Sequence, residues 1–342
     1  MRNGHGIRFS RRRLLQVLLA TAATPGLASA PLVSERPPRG RGPVPPPGAE
    51  ALVDKARLSG EVVFAVSDAE SGDLIEVRGP ETPIAPASTT KAITALYALD
   101  TLGPAHRFKT QVVAMGGVQD GVVQGDLVLA GGCDPTTDTR DLAALAAQLK
   151  DAGIREVKGA FRVYEGPIVS VRAIDPEQPD HVGYSAAVAG IALNYNRVHF
   201  EWRRASGKYN VTMDARAGRY RPEVEIARMK VMQRRAPIYT YEDLDGRDNW
   251  TVASGALGRE GARWLPVRRP GLYAGEVFAT LARSHGIVLK PPRLRITAPS
   301  GDVLAEVQSE PLDNILRAML KYSNNLTAEM VGLVSTYARV GR

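Results

Sequence analysis

The sequence of 342 residues holds a single cysteine, Cys133. A lone cysteine cannot form a disulfide within the chain, so the hydrophobic core must stabilise the fold. Cys133 has no histidine near it in the sequence, and we do not expect it to be a catalytic thiol. The few histidines lack the spacing of metal ligands, so the sequence gives no support to a metal site.

Long apolar runs are also scarce. The stretch Leu14–Leu27 is apolar but short for a transmembrane helix, which needs about 20 residues. Ser10-Arg-Arg-Arg-Leu-Leu15 leads into it, and Ala28-Ser-Ala30 fits a cleavage site of small residues. Residues 1–30 therefore predict an export signal, with twin-arginine export favoured over ordinary Sec export. We expect a periplasmic protein with no stable membrane span after the signal is cleaved.

The sequence has little net positive charge outside this signal. The formal net charge is +8, but residues 1–30 contribute five arginines and no acid, which leaves +3 for the remaining chain. The remaining basic residues form no long run. Since nucleic-acid binding needs a basic patch or stripe, we exclude nucleic acid as a partner.

Composition and turn signals divide the rest of the chain. Residues 31–49 are rich in proline and predict an extended linker without a core. Val62–Val66 and Leu74–Val77 predict a pair of strands around a turn. Strand patterns separated by glycine turns then alternate over residues 106–290, which predicts a β-rich region.

Ser88-Thr89-Thr90-Lys91 is the only Ser-x-x-Lys in the chain. Residues three apart share one helix face, so the Ser88 hydroxyl and the Lys91 amine can meet. A lysine that burial keeps neutral can take the proton of a serine and activate it as a nucleophile. The stretch after the motif is apolar on nearly all sides and predicts a buried helix that ends at Gly103-Pro104.

Ser323-Asn324-Asn325 is the only Ser-x-Asn in the chain. It follows a predicted amphipathic helix whose apolar residues repeat at i, i+3, i+4, i+7 and i+8: Leu312, Ile315, Leu316, Met319 and Leu320. A short turn then leads to a second predicted helix, from Leu326 to about Val334. Polar residues in such a turn can also be simple caps and turn formers, so the tripeptide alone does not establish a site.

Together the two motifs resemble those of the serine penicillin-binding proteins and β-lactamases, whose active sites combine Ser-x-x-Lys, Ser-x-Asn and Lys-Thr-Gly. The resemblance is closer to the D-alanyl-D-alanine carboxypeptidase/endopeptidase family of penicillin-binding protein 4 type (peptidase family S13). Three further stretches are similar to that family: Gly125–Pro135, Leu193–Arg197 and Ser309–Arg317. The 235 positions between Ser88 and Ser323 also match its large insert, whereas β-lactamases have a short one.

The resemblance implies an α/β (α+β) fold. Residues 50–105 and 291–342 would form a transpeptidase domain like that of penicillin-binding proteins and β-lactamases, and residues 106–290 a β-rich insert. One feature departs from the family: no Lys-Thr-Gly, Lys-Ser-Gly or Arg-Thr-Gly occurs, and 17 residues follow Asn325. We therefore expect the transpeptidase-like domain to be incomplete at its C-terminus. Losing one oxyanion-hole donor costs about 10²–10³ in rate.

By resemblance, the chain is expected to be a serine-type D-Ala-D-Ala carboxypeptidase or endopeptidase. It would act on peptidoglycan stem peptides through an acyl-serine intermediate, with β-lactam antibiotics as inhibitors. Ser88 would be the nucleophile, Lys91 its base, Ser323 the proton relay and Asn325 a substrate-binding residue. No metal or organic cofactor is implied.

Two alternatives remain. The chain is a catalytically inactive remnant or a wall-peptide-binding protein if the missing Lys-Thr-Gly strand is essential. The other alternative, a β-lactamase, is disfavoured by the long insert.

A competing motif, Gly183-Tyr-Ser185-Ala-Ala187, half-resembles the Gly-x-Ser-x-Gly elbow of α/β-hydrolases. Ala187 replaces the last glycine and no clear strand precedes it, so we interpret this stretch as a turn of small residues.

Overall fold

The computed structural model describes residues 48–341. The predicted export signal at residues 1–30 lies outside the described residues, as does nearly all of the predicted linker at 31–49. The chain divides into two compact units, with the division between Ile84 and Ala85.

The first unit contains a helix and a strand pair: α1 (Ala49–Ala56), β1 (Phe64–Ser67) and β2 (Leu74–Arg78). The two strands pair antiparallel, with an irregularity between Val66 and Ser67, and this confirms the predicted strand pair. The Asp68 carboxylate accepts hydrogen bonds from the backbone N–H groups of Glu70 and Ser71. An aspartate that binds its own backbone in this way stabilises the turn between the strands.

The second unit contains the remaining elements. Its helices are α2 (Lys91–Leu102), α3 (Thr139–Asp151), α4 (Pro270–Ser284), α5 (Leu312–Tyr322) and α6 (Asn325–Val340). Its strands are β3 (Lys109–Ala114), β4 (Val118–Gln119), β5 (Val122–Val123), β6 (Leu127–Ala130), β7 (Glu156–Val157), β8 (Phe161–Tyr164), β9 (Arg197–Ala205), β10 (Lys208–Asp214), β11 (Ala227–Met232), β12 (Tyr239–Leu244), β13 (Arg247–Ala253), β14 (Glu260–Pro266), β15 (Arg293–Arg295) and β16 (Asp302–Gln308). Short 3-10 turns lie at Ala87–Thr90, Asn194–Asn196 and Ser254–Ala256.

The largest sheet has the strand order β15-β8-β6-β3-β16. Helices α3 and α4 pack on each other and against this sheet. Fully buried side chains from both layers form the core, among them Leu127, Phe161, Leu145 and Phe278. Strands β15 and β16 follow residue 290, so the sheet combines strands from both sides of the predicted insert boundary. The domain boundaries themselves stay predictions.

Three-stranded sheets account for the other strands of the insert: β10-β9-β14, β11-β13-β12 and β4-β5-β7. Strands β9 and β10 form a hairpin within the predicted β-rich region, and the hairpin turns at Ser206 and Gly207, both with positive φ. Glycine adopts positive φ without steric cost, which suits this turn. Trp250 on β13 is fully buried and belongs to the same hydrophobic core as the buried residues of the large sheet.

Helices α2, α5 and α6 pack on one another and form a second core. The predicted stripe of α5 is confirmed at four positions, where Leu312, Ile315, Leu316 and Met319 are buried. The fifth, Leu320, was predicted on the same face but is 48% exposed. Helix α6 starts one residue before its predicted start and runs six residues beyond its predicted end. No helix within residues 48–341 is long and apolar enough to cross a membrane.

Helix α2 is confirmed as a helix but not as a buried one. It ends at Gly103, whose φ of 82° suits glycine, in agreement with the predicted end. Ala95 and Ala98 are its buried residues, whereas Ile93 and Leu96 are 68% and 67% exposed. The prediction of burial was wrong because only one face of α2 packs against α5 and α6. Ala95, Ala98, Leu99 and Leu102 lie on that face, whereas Ile93 and Leu96 do not.

Candidate active site

Ser88 lies in the 3-10 turn that leads directly into α2. The turn is held locally, because the backbone N–H and the hydroxyl of Thr89 both donate to the Pro86 carbonyl. The Ser88 side chain is exposed. Its Oγ accepts a hydrogen bond from Lys91 Nζ at 3.0 Å, as the spacing of the motif predicts.

Ser323 reaches the same point from the other end of the sequence. It follows α5 in the left-handed conformation, with φ 54°, and its backbone N–H donates to the Met319 carbonyl. Its Oγ donates to Ser88 Oγ at 2.7 Å across 235 positions of sequence. Asn324 caps α6 by accepting from the Thr327 N–H at 2.9 Å, which fixes the turn that presents Ser323.

Asn325 is the first residue of α6 and lines the same cleft as Ser88. Its Nδ2 donates to the backbone carbonyl of Tyr184 at 3.1 Å. Tyr184 belongs to the predicted insert, so the insert contacts the Ser-x-Asn motif directly. The structure therefore brings together all four residues that the sequence singles out: Ser88, Lys91, Ser323 and Asn325.

The cleft around these residues has a volume of about 730 Å³. One wall is α2, the other is α6, and Ile174 of the insert contributes at one side. Gly332 on α6 lies opposite Thr94 of α2, and its missing side chain leaves room between the two helices. The space is large enough for a peptide ligand, since ligand pockets commonly measure about 300–1,000 Å³.

The electrostatics of Lys91 favour a base. Partial burial lowers the pKa of its amine, because the charged form loses solvation. The carboxylate of Glu329, on the α6 wall, opposes this and raises the pKa of Lys91. The net direction is downward, so the neutral amine that can accept a proton is more available than on an ordinary surface lysine.

This arrangement supports nucleophilic chemistry. A hydroxyl within hydrogen-bonding distance of an amine, with a second hydroxyl on its other side, has a base to take its proton and a donor to pass one on. The side chain of Ser88 is also open to the cleft, so a carbonyl carbon can approach it.

The surroundings of the other candidate residues indicate structural rather than catalytic roles. Ser185, of the competing elbow motif, is buried and its Oγ is occupied by the backbone of Asp175. Cys133 is buried, and burial raises the pKa of its thiol to about 12. Within residues 48–341, no cluster of three or more His, Cys, Asp or Glu side chains could hold a metal ion.

Two contributors to the site were missed from the sequence. Glu329 lies four residues after Asn325 and therefore on the same face of α6, and this spacing was the signal that could have placed it at the site. Tyr184 acts through its backbone carbonyl, for which the identity of the side chain gives no signal.

A model of the D-Ala-D-Ala carboxypeptidase 3 (S13) family matches residues 49–339, which confirms the resemblance drawn from the motifs. A D-alanyl-D-alanine carboxypeptidase of Actinomadura sp. (strain R39) is 27% identical over 312 residues, which cover 82% of this chain and 55% of the relative. A carboxypeptidase of Mycobacterium tuberculosis is 33% identical over 277 residues, which cover 80% of this chain and 48% of the relative. The chain thus spans about half the length of these relatives.

The fold is also similar to that of solved structures. The crystal structure of penicillin binding protein 4 from Haemophilus influenzae matches with a TM-score of 0.65 at 19% identity, covering 82% of this chain and 63% of that chain. A structure of the same H. influenzae protein in complex with a β-lactam matches with a TM-score of 0.62 at 20% identity, covering 82% and 62%. At these identities the likeness concerns the fold alone, and it confirms the predicted mixed α/β fold.

Proposed function

The chain belongs to the D-Ala-D-Ala carboxypeptidase 3 (S13) family, and on that premise we propose that it is a serine-type D-Ala-D-Ala carboxypeptidase or endopeptidase acting on peptidoglycan stem peptides. One observation carries the proposal: the Ser88 hydroxyl lies between Lys91 Nζ and Ser323 Oγ, at 3.0 Å and 2.7 Å. The carboxypeptidase names of the relatives support the same class of reaction.

The first half of the proposed reaction forms an acyl-serine. Neutral Lys91 takes the proton of Ser88 as Oγ attacks the carbonyl carbon of the penultimate D-alanine, and the Ser88 N–H donates to the resulting oxyanion. The C–N bond then breaks while Ser323 passes its proton to the leaving amine and regains the one that Lys91 took from Ser88. In the second half, water attacks the ester carbonyl as Lys91 takes one of its protons. The C–O bond to Ser88 breaks as that proton returns to Oγ, and the peptide acid loses its remaining proton to solvent and leaves as a carboxylate.

Asn325 is suited to hold the peptide. Its Nδ2 is engaged by the Tyr184 carbonyl, and within residues 48–341 no hydrogen-bond donor reaches its Oδ1. A carboxamide oxygen accepts hydrogen bonds, so Oδ1 can receive a backbone N–H of the substrate. A β-lactam, whose ring amide resembles the scissile bond, would acylate Ser88 in the same way.

Covalent labelling by a fluorescent penicillin tests the nucleophile. The parent should gain one adduct, located on the peptide that contains Ser88, and Ser88→Ala should lose it. The matched control is Ser284→Ala, which removes an exposed serine of the insert and should label like the parent. Equal labelling of Ser88→Ala and the parent contradicts the assignment of Ser88.

The composition of the cleft favours a second candidate, wall-peptide binding without turnover. Its walls come from the 3-10 turn, α2, α6 and Ile174, and none of its lining residues belongs to a strand. Lys-Thr-Gly does not occur within the 342 residues. Release of D-alanine from a D-Ala-D-Ala peptide decides between the candidates: measurable release contradicts binding alone, and saturable binding without release supports it.

The proposed substrate lies outside the cytoplasm, so the proposal includes export to the periplasm through residues 1–30. The arginine-rich start and the small residues ending at Ala30 support this. N-terminal sequencing of the protein recovered from the periplasm should begin after Ala30, and an uncleaved protein confined to the cytoplasm contradicts it.

A further inference from the structure

Segment 166–188 of the insert reaches the cleft. Ile174 lines it, and the Tyr184 carbonyl accepts the hydrogen bond from Asn325. The segment contains no helix or strand, and a single bridge pairs Val171 with Val188 near its two ends. Loops with little regular structure are free to move unless other groups hold them. What fixes this segment therefore matters for the position of Asn325.

Arg268 holds the segment from within the insert. Its side chain is 5% exposed. Nη1 donates to the carbonyls of Arg172, at 3.0 Å, and Ser185, at 2.6 Å, and Nη2 donates to the carbonyl of Asp180 at 2.8 Å. Arg172 lies near the start of the segment, Ser185 near its end and Asp180 between them. One guanidinium therefore binds three separate parts of the segment.

Arg268 is itself anchored to the β11-β13-β12 sheet. Its backbone N–H donates to Asp248 Oδ2 at 2.8 Å, and the fully buried Asp248 carboxylate also accepts from the Tyr241 hydroxyl at 3.0 Å. The Tyr241 ring lies 6.0 Å from the Arg268 guanidinium carbon. Only a planar guanidinium offers donors in several fixed directions, which a lysine ammonium cannot reproduce.

The contact with Tyr184 selects one orientation of the Asn325 side chain. A carbonyl accepts from Nδ2 but repels Oδ1, so the carboxamide cannot rotate by half a turn without losing its hydrogen bond. With one Nδ2 hydrogen held by Tyr184, Oδ1 is left to accept from a substrate N–H and the second Nδ2 hydrogen to donate to a substrate carbonyl. If the segment moves away, the Asn325 carboxamide can rotate by half a turn. Nδ2 and Oδ1 then exchange places, and the substrate N–H no longer faces an acceptor.

We propose that Arg268 is a positioning residue for the reaction: it fastens segment 166–188, and the Tyr184 carbonyl then orients the Asn325 carboxamide toward the substrate. The inference rests on the proposed function and gives the insert a part in it. Arg268 touches no substrate and acts through Tyr184 and Asn325.

A double-mutant cycle on the acylation rate tests this path. Arg268→Met removes the three donors and is expected to slow acylation by a fluorescent penicillin about tenfold, because small displacements of a binding group cost up to about 10²-fold. Arg268→Lys should recover little of that loss. In an Asn325→Ala background, Arg268→Met should change the rate by less than about twofold, since residues in one network are not additive. Equal losses in both backgrounds contradict the proposal.

A matched control separates positioning from general damage to the insert. Arg216→Met makes the same substitution at an arginine that pairs with Asp214 and Glu201 and does not contact segment 166–188. It should acylate like the parent. If Arg268→Met does not fold, Ser185→Ala loosens the same segment by removing the two hydrogen bonds to Asp175, and a smaller loss in the same direction is expected.

Hydrogen exchange provides a readout that does not need activity. The N–H groups of Val171, Ile174 and Val188 are bonded across the segment and should exchange faster in Arg268→Met, while β6 and β8 keep their protection. Unchanged protection contradicts the tether. If penicillin does not acylate the parent protein, the proposed function is contradicted. The exchange measurement then tests on its own whether Arg268 holds the segment.

Discussion

Helices α2 and α4 are both largely apolar, yet they lie in opposite environments. In α4, nine of the 15 residues are buried, including Tyr273, Val277 and Phe278. In α2, Ala95 and Ala98 are buried while Ile93 and Leu96 are mostly exposed. Helix α4 of the predicted insert is thus part of a packed core, whereas the helix that follows the nucleophile lines an open cleft.

Because of this difference, substitutions at the cleft and in the core should have different effects on activity and on the free energy of unfolding. Side chains at the cleft have few neighbours to lose, so substitutions there should change the chemistry and leave the free energy of unfolding nearly unchanged. Side chains in the insert fill a close-packed core, where even one missing methylene is felt. Four predictions test this contrast, beginning with the largest expected effect.

Lys91→Met should slow acylation by about 10³-fold or more, because loss of a general base costs about 10²–10⁴-fold. Its unfolding midpoint should match that of the parent. Lys91→Arg is the control for charge: a guanidinium stays protonated and cannot take the Ser88 proton, so the same loss is expected. Normal acylation by either variant contradicts the role of Lys91.

The pH profile sharpens this prediction. Protonated Lys91 cannot act as the base, so the acylation rate should fall about tenfold per unit as pH drops below the pKa of Lys91. Partial burial lowers that pKa, and the Glu329 carboxylate raises it. Glu329→Gln should therefore move the profile to lower pH. A shift to higher pH contradicts the assignment of the titrating group to Lys91.

A core position and an exposed position of α2 should differ in stability by several kcal/mol. Phe278 is fully buried, with its ring 5.7 Å from that of Phe161, and Phe278→Ala should cost about 3–5 kcal/mol in the free energy of unfolding. Leu96→Ala on α2 should stay within about 0.5 kcal/mol, as for other surface positions. Denaturant unfolding measures both. A large loss for Leu96→Ala breaks the comparison, because it shows that this face of α2 is covered in solution.

The smallest expected effect concerns Cys133. Its thiol is buried, and burial raises its pKa to about 12, so almost no thiolate exists near neutral pH. Iodoacetamide should leave the native protein unmodified and alkylate it once in denaturant. Rapid alkylation of the native chain, at the rate seen in denaturant, contradicts a packed insert at this position.

Much of the local structure could be predicted from the sequence. The end of α2 at Gly103, the stripe of α5 and the strand pair of β1 and β2 depend on periodicity and turn residues that lie close together in the chain. Leu320 and the exposed side of α2 could not be predicted, because periodicity shows which residues share a face but not which face another element covers.

For the site, the sequence by itself determined the pairing of Ser88 with Lys91, since one helical turn brings residues three apart together whatever surrounds them. Only the tertiary structure decided that Ser323 donates to Ser88 and that Asn325 faces the Tyr184 carbonyl. Contacts between distant segments depend on how helices and loops pack, and packing is settled by the whole chain rather than by any local pattern.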